Sequence, residues 1–161
     1  MKKLFCDIDN TLNNHWERIR RNTTDGWCDF DKAFTYEEHQ KDVVLPGSLE
    51  AVKELDKHYE IHMLTARWYD NAYEWTKEWL DRFGFPYKSI ITCDNTMDKV
   101  GIIKDEDCFL VDDLSKKHQV EPPYKVLYWD VIQKLNENNI DYEIFKDNWS
   151  EILKRRIPKN G

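Results

Sequence analysis

A chain of 161 residues has room for one ordinary domain around a single core, and 40% hydrophobic with 14% aromatic content is the composition of a globular protein. No stretch approaches the roughly 20 consecutive apolar residues of a membrane-spanning helix. The formal net charge of −7, without a block of like charges, argues against tight sequence-independent binding to long nucleic acid, which basic surface drives. The sequence therefore predicts one domain over residues 1–161 and no membrane contact, and it leaves the oligomeric state open. Lys2-Lys3 run straight into a strand containing acids, so no signal peptide is expected. Cys6, Cys28, Cys93 and Cys108 lack paired spacing, which favours reduced thiols in a cytoplasmic protein over disulfides or zinc.

In chain order, the first element is an apolar strand, Lys3-Leu4-Phe5-Cys6, ending in Asp7-Ile8-Asp9-Asn10-Thr11. Side chains at i and i+2 of an extended chain share a face, so Asp7 and Asp9 are expected together at the strand's C-terminal end. Two close carboxylates repel unless a cation sits between them. A calcium loop of the EF-hand type is excluded, because its glycine and closing glutamate positions hold Leu12 and Arg18.

Residues 13–45 follow no clean period, although Phe30–Phe34 opens like a short helix. Trp16, Trp27, Phe30 and Phe34 offer either a stacking surface for a base or packing for a small lid. Regularity returns with Leu45-Pro46-Gly47-Ser48, a turn into a helix with Ser48 as N-cap. The run Tyr59–Leu64 reads as a strand ending in Thr65-Ala66-Arg67, with His62 a core or edge side chain. Asp70–Phe83 is an amphipathic helix whose Ala72, Trp75, Trp79 and Leu80 face the core. Ser89–Thr92 is a short strand, and a polar segment leads into Val100–Lys104. Cys108–Val111 is another buried strand, ending in Asp112-Asp113. Pro122-Pro123 punctuates; Tyr124–Asn139 carries one helix, or a strand and a helix. Tyr142–Phe145 is a late strand, Trp149–Leu153 a closing helix, and Arg155, Arg156 and Lys159 a solvated tail. Alternating strands and helices with functional residues at strand ends predict an α/β fold, a Rossmann-like three-layer domain with a parallel sheet.

The Asp-x-Asp-x-Thr segment, the Thr65 strand end, a downstream lysine and the Asp112-Asp113 strand end resemble, in order, the four motifs of the haloacid-dehalogenase-like phosphohydrolases. The resemblance spans about residues 3–115 and implies that residues 13–45 form a flap or small cap. It implies hydrolysis of a phosphate monoester through an aspartyl-phosphate, with Asp7 as nucleophile and Asp9 as acid and base. Thr65 would bind a phosphoryl oxygen, and Lys99, preferred to Lys104, would neutralise it. Asn10, Thr11, Ala66 and Arg67 are placed with the substrate, Arg67 as a fork for phosphate or as a surface ion pair. Mg2+ would be held by Asp7, the backbone carbonyl of Asp9 and the final acids, with Asp113 favoured as direct ligand and Asp112 outside it. Within the superfamily the chain is similar to 5′-nucleotidases and to the phosphatase domain of polynucleotide kinase-phosphatases. The implied substrate is a small phosphorylated molecule, a nucleotide, with a 3′-phosphorylated nucleic-acid end as the alternative. A non-catalytic binder of phosphorylated ligands is the remaining class.

Overall fold

The computed structural model describes residues 1–116 and 126–159. Five strands form one parallel sheet: β1 (Lys3–Cys6), β4 (Glu60–Thr65), β5 (Ser89–Thr92), β6 (Cys108–Asp112) and β7 (Asp141–Ile144), with β2 and β3 reserved for a separate hairpin. The spatial order is β5-β4-β1-β6-β7, so the chain winds outward on one side of β1 and then on the other. Ligands in such sheets bind beyond the C-terminal strand ends where the winding reverses. Here that place is the tip of β1, between those of β4 and β6.

Alternation along the central strands builds two cores. Leu4, Cys6, Ile61, Met63, Phe109 and Val111 face one side, against α4 (Ser48–Asp56), α5 (Ala72–Phe83) and α8 (Trp149–Arg156). Phe5, Leu64, Cys108 and Leu110 face the other, against α6 (Asp98–Ile103) and α7 (Trp129–Glu137). Helices on both faces of a parallel sheet give the three predicted layers, and β6 is apolar up to its final acid because both of its faces are covered. Val111, Leu110 and Phe109 are all fully buried.

Residues 13–45, the segment between β1 and α4 and labelled the flap for its place in the chain, hold α1 (His15–Arg21), the hairpin of β2 (Thr23–Thr24) and β3 (Trp27–Cys28), α2 (Phe30–Ala33) and α3 (Tyr36–Gln40). Helix α1 escapes a period-based reading because its buried face is polar: His15 and Arg18 are inside with Trp16 and Ile19.

Several local expectations change. The N-cap of α4 is Gly47, at φ 82°, a left-handed conformation that glycine adopts at no steric cost. Ser48 is instead the first helical residue, its hydroxyl donating to the Leu45 and Leu12 carbonyls. Arg155 and Arg156 belong to α8 and pair with Glu143 and Asp141 at 2.7 and 2.6 Å, so only Lys159 keeps the reading of a solvated tail. His62 lies at the second core's edge, bonded to Glu60 and Ser89. Tyr128 precedes α7, whereas Pro122-Pro123 and Tyr124 lie outside the described residues. All four cysteines are free, and no described helix is long and apolar enough to cross a membrane.

Candidate active site

Strand β1 stops at Cys6, so Asp7 and Asp9 sit in the turn that follows. That turn is built on Ile8, whose carbonyl accepts from the Thr11 and Leu12 amides at 3.1 and 2.8 Å. Asn10 takes φ 65°, which asparagine tolerates better than most residues, and its side-chain oxygen accepts from the Trp16 amide at 2.9 Å. The turn separates the two carboxylates into different neighbourhoods, unlike the shared spot that strand alternation suggests.

Asp7 joins the acids of β6. One oxygen each of Asp7, Asp112 and Asp113 lies within 4.8 Å of the others, and all three residues are buried. Lys99 Nζ donates to Asp7 Oδ1 at 2.9 Å and to Asp112 Oδ2 at 2.7 Å. Burial works against this ammonium, yet the carboxylates of Asp112 and Asp7 outweigh it and hold its pKa above the ordinary lysine value. Thr11 Oγ1 donates to Asp7 Oδ2 at 3.0 Å and accepts from the Asp113 amide at 3.2 Å, fastening the tip of β1 to that of β6. Asp112 Oδ1 accepts from the Leu114 amide at 2.8 Å, and Asp113 accepts from the Ser115 hydroxyl. Lys99 therefore reaches the acids from the first turn of α6, whereas Lys104 is exposed at the far end of that helix.

Thr65 ends β4, beside β1. Its hydroxyl is fully buried and has no hydrogen-bond partner among the described residues. Such a group carries a desolvation cost that a ligand oxygen would relieve.

Asp9 belongs to a basic cluster. Arg67 donates to it through Nη2 at 2.8 Å and Nε at 3.2 Å, and also to the Thr76 hydroxyl at 2.7 Å. Asn13 donates to Asp9 at 3.0 Å, His15 Nδ1 lies 3.4 Å away, and Arg18 Nη2 lies 3.6 Å away. Arg18, fully buried in the flap, also pairs with Asp42 at 3.2 Å and donates to the Ala33 carbonyl. Burial raises the Asp42 carboxyl to about 6 although Arg18 opposes it. Burial first, then Arg18 and Arg67, lower His39 to about 2, so its ring is neutral. A carbonyl only accepts, so Nδ1 carries the proton towards Thr35 and the single Nε2 lone pair faces both Arg18 and the Tyr69 hydroxyl, with Arg18 Nη1 also 2.9 Å from Nδ1. Arg67 is thus spent on Asp9 and Thr76 in this conformation rather than extended as a free fork.

A cavity of about 360 Å³ opens above Asp9, with Ala66, Arg67, Phe30 and Phe34 in its walls. Trp16 turns away into the flap's own core with Ile19 and Ala33, and Trp27 stands 82% exposed outside the cavity walls. Trp68, Tyr69 and Tyr128 line the cavity instead. The sequence signal for the first two was their position, directly after the Thr65-Ala66-Arg67 strand end. Arg18 and His15 had no such signal.

No family model matches the sequence, and no curated protein matches it significantly. Solved structures do. A haloacid dehalogenase-like family hydrolase, SP0104 from Streptococcus pneumoniae, superposes with a TM-score of 0.60 at 13% identity, covering 96% of this chain and 98% of that one. The fold is that of the haloacid-dehalogenase-like hydrolases. A putative β-phosphoglucomutase from Thermotoga maritima shares it with a TM-score of 0.51 at 12% identity, over 96% of this chain and 99% of the other. A chain of the Pnkp1/Rnl/Hen1 complex matches with a TM-score of 0.55 at 16% identity, over 89% of this chain; this chain spans only 45% of it. At such identities the haloacid-dehalogenase-like likeness is one of fold. The chemistry rests on the side chains at the strand tips.

Proposed function

We propose that this chain is a magnesium-dependent phosphate-monoester hydrolase that works through an aspartyl-phosphate on Asp7 and acts on nucleotides. One observation carries the proposal: Asp7, Asp112 and Asp113, from segments a hundred residues apart, converge within 4.8 Å around an ammonium that touches two of them. Hard carboxylate oxygens at this spacing suit magnesium. Asp7, the Asp9 carbonyl and Asp113 would hold the ion with Asp112 outside, and when bound it spreads the charge of the transferring group.

Asp7 Oδ attacks phosphorus, forming an O–P bond as the ester's O–P bond breaks. Asp9 gives its proton to the departing alkoxide, then takes one from the water that cleaves the acyl phosphate, releasing inorganic phosphate and restoring Asp7. The Arg67 contact favours ionised Asp9, the form required in the second half. Donation in the first half requires that contact to loosen as substrate enters. Lys99 and the Thr65 hydroxyl receive the phosphoryl oxygens, the main electrostatic demand of phosphoryl transfer.

The acidic net charge and a cavity of about 360 Å³ favour a small nucleotide. The match to chains of a Pnkp1/Rnl/Hen1 RNA repair complex supports a second reading, a 3′-phosphorylated nucleic-acid end, although this chain spans only 42% of the matched chain. Phosphate release from nucleoside monophosphates and from a 3′-phosphorylated oligonucleotide, with magnesium and with EDTA, tests both. Release that needs magnesium is expected, faster from the monophosphates. Magnesium-bound protein that releases phosphate from neither would overturn the hydrolase reading.

A further inference from the structure

Resting on the hydrolase reading, a constraint follows from where the cavity lies. If Asp9 protonates the leaving oxygen, the leaving group must occupy the space that Asp9 faces, and that space is the 360 Å³ cavity. Its size is that of a small-molecule site. Its walls are unusually rich in rings for a cleft over buried charges. Phe34 is the hub: its ring centroid lies 5.1 Å from Tyr69, 6.0 Å from Phe30 and 6.3 Å from Trp68.

Trp68 is 65% exposed and Phe30 43% exposed, and both are among the residues that line the cavity. Large apolar rings left accessible around a concave site, beside fully buried polar groups, mark a surface that a ligand covers. Asp94, Asn95 and Thr96 line the same cavity, so it offers hydrogen-bonding groups beside ring faces, a combination that a flat heteroaromatic ring with polar edges uses at once. Ala66, a small residue between Thr65 and Arg67, keeps the floor open.

We infer that Phe34 and Trp68 are specificity-determining residues, which hold the leaving group by stacking on a planar heteroaromatic ring, a nucleobase, and so select nucleotides over sugar or polyol phosphates. Phe34 comes from the segment between β1 and α4 and Trp68 from the loop after β4, so the clamp is one ring-lined wall built from two separate segments. Trp68 reaches no acid of the catalytic cluster through any hydrogen bond or ion pair found among the described residues, and its loss should spare the chemistry.

The test compares kcat/KM for adenosine 5′- and 3′-monophosphates, taking the faster, with ribose 5-phosphate and glycerol 2-phosphate. Base stacking measured elsewhere corresponds to roughly tenfold or more in affinity per ring. The wild-type protein should therefore prefer the nucleotide by about tenfold or more. Trp68→Ala should raise KM for the nucleotide about tenfold with kcat little changed, leave the two aliphatic esters within about twofold, and be rescued by Trp68→Phe. Calorimetric binding of the same adenosine monophosphate to Asp7→Asn protein, with and without Trp68→Ala, gives a readout that needs no turnover. Hydrolysis without preference for the nucleotide, or equal losses for all esters in Trp68→Ala, overturns the clamp alone. Trp68-dependent binding without any hydrolysis would support the clamp while overturning the hydrolase reading.

Discussion

Arg67 grips Asp9 with two nitrogens, at 2.8 and 3.2 Å, across 58 positions of sequence and almost wholly out of water. The pair joins the tip of β4 to the turn after β1, and it fixes where a proton can be exchanged. A buried carboxylate deprived of its partner costs far more than the net worth of the pair, of order 3–5 kcal/mol. Asn13 and Arg18 stay beside Asp9, so Arg67→Ala should lower unfolding free energy in urea by less than that, about 2 kcal/mol, and Arg67→Lys should recover only part, because one ammonium cannot reproduce the fork. An Arg67→Ala protein as stable as wild type would show that the contact does not hold the tip of β4.

Thr65 should behave in the opposite way. Its buried hydroxyl bonds nothing among the described residues, so Thr65→Val removes no native hydrogen bond. Stability should stay within about 1 kcal/mol of wild type or rise, while phosphate release falls by about tenfold or more through lost contact with a phosphoryl oxygen. A variant that loses stability but keeps activity would assign Thr65 to the core.

Magnesium should stabilise the folded chain in proportion to its binding. At a concentration about a hundredfold above Kd, the gain is roughly 2.7 kcal/mol. Asp113→Asn should abolish the magnesium-dependent rise in melting temperature and Asp112→Asn should weaken it less, since Asp112 is already committed to Lys99 and the Leu114 amide. The reverse order would exchange their roles.

The flap carries a pH dependence of definite sign. The folded pKa of His39 is depressed to about 2, far below its unfolded value, so the unfolded chain binds the extra proton as pH falls below about 6.5. His39 therefore contributes stability that is complete above that pH and declines beneath it. Asp42 runs the other way: raised to about 6, it takes up a proton in the folded state first, and stability falls as pH rises from about 4 to about 6. Because the two oppose each other, the comparison must be with a variant. The stability gap between wild type and His39→Gln should narrow from pH 7 to pH 5; a constant gap would mean that the ring is not held neutral.

The sheet was legible because its central strands are mostly apolar, with His62 the one interruption in β4, and end in polar residues; β5 and β6 lie where Ser89–Thr92 and Cys108–Val111 indicate, β6 reaching one residue further to Asp112. The preference for Lys99 rested on resemblance, and its position in the first turn of α6 explains why Lys104, more than a turn later, is carried away. Asp9 was harder. Alternation places it beside Asp7 only while the chain stays extended, and β1 ends at Cys6 in a turn built on the Ile8 carbonyl. The flap hid most, since α1 buries His15 and Arg18 on charge pairing that no hydrophobic period reports. Trp16 and Trp27 show the same limit: composition marks an aromatic segment, but only packing decides which ring meets a cavity.

The most direct measurement is acid quenching of the working enzyme with a nucleoside monophosphate and magnesium, followed by peptide mapping of the phosphoryl adduct. The adduct should map to Asp7 and vanish in Asp7→Asn, with phosphate release reduced by about a thousandfold or more and the unfolding transition retained. An adduct on another residue, or magnesium-dependent turnover surviving in Asp7→Asn, would contradict the account.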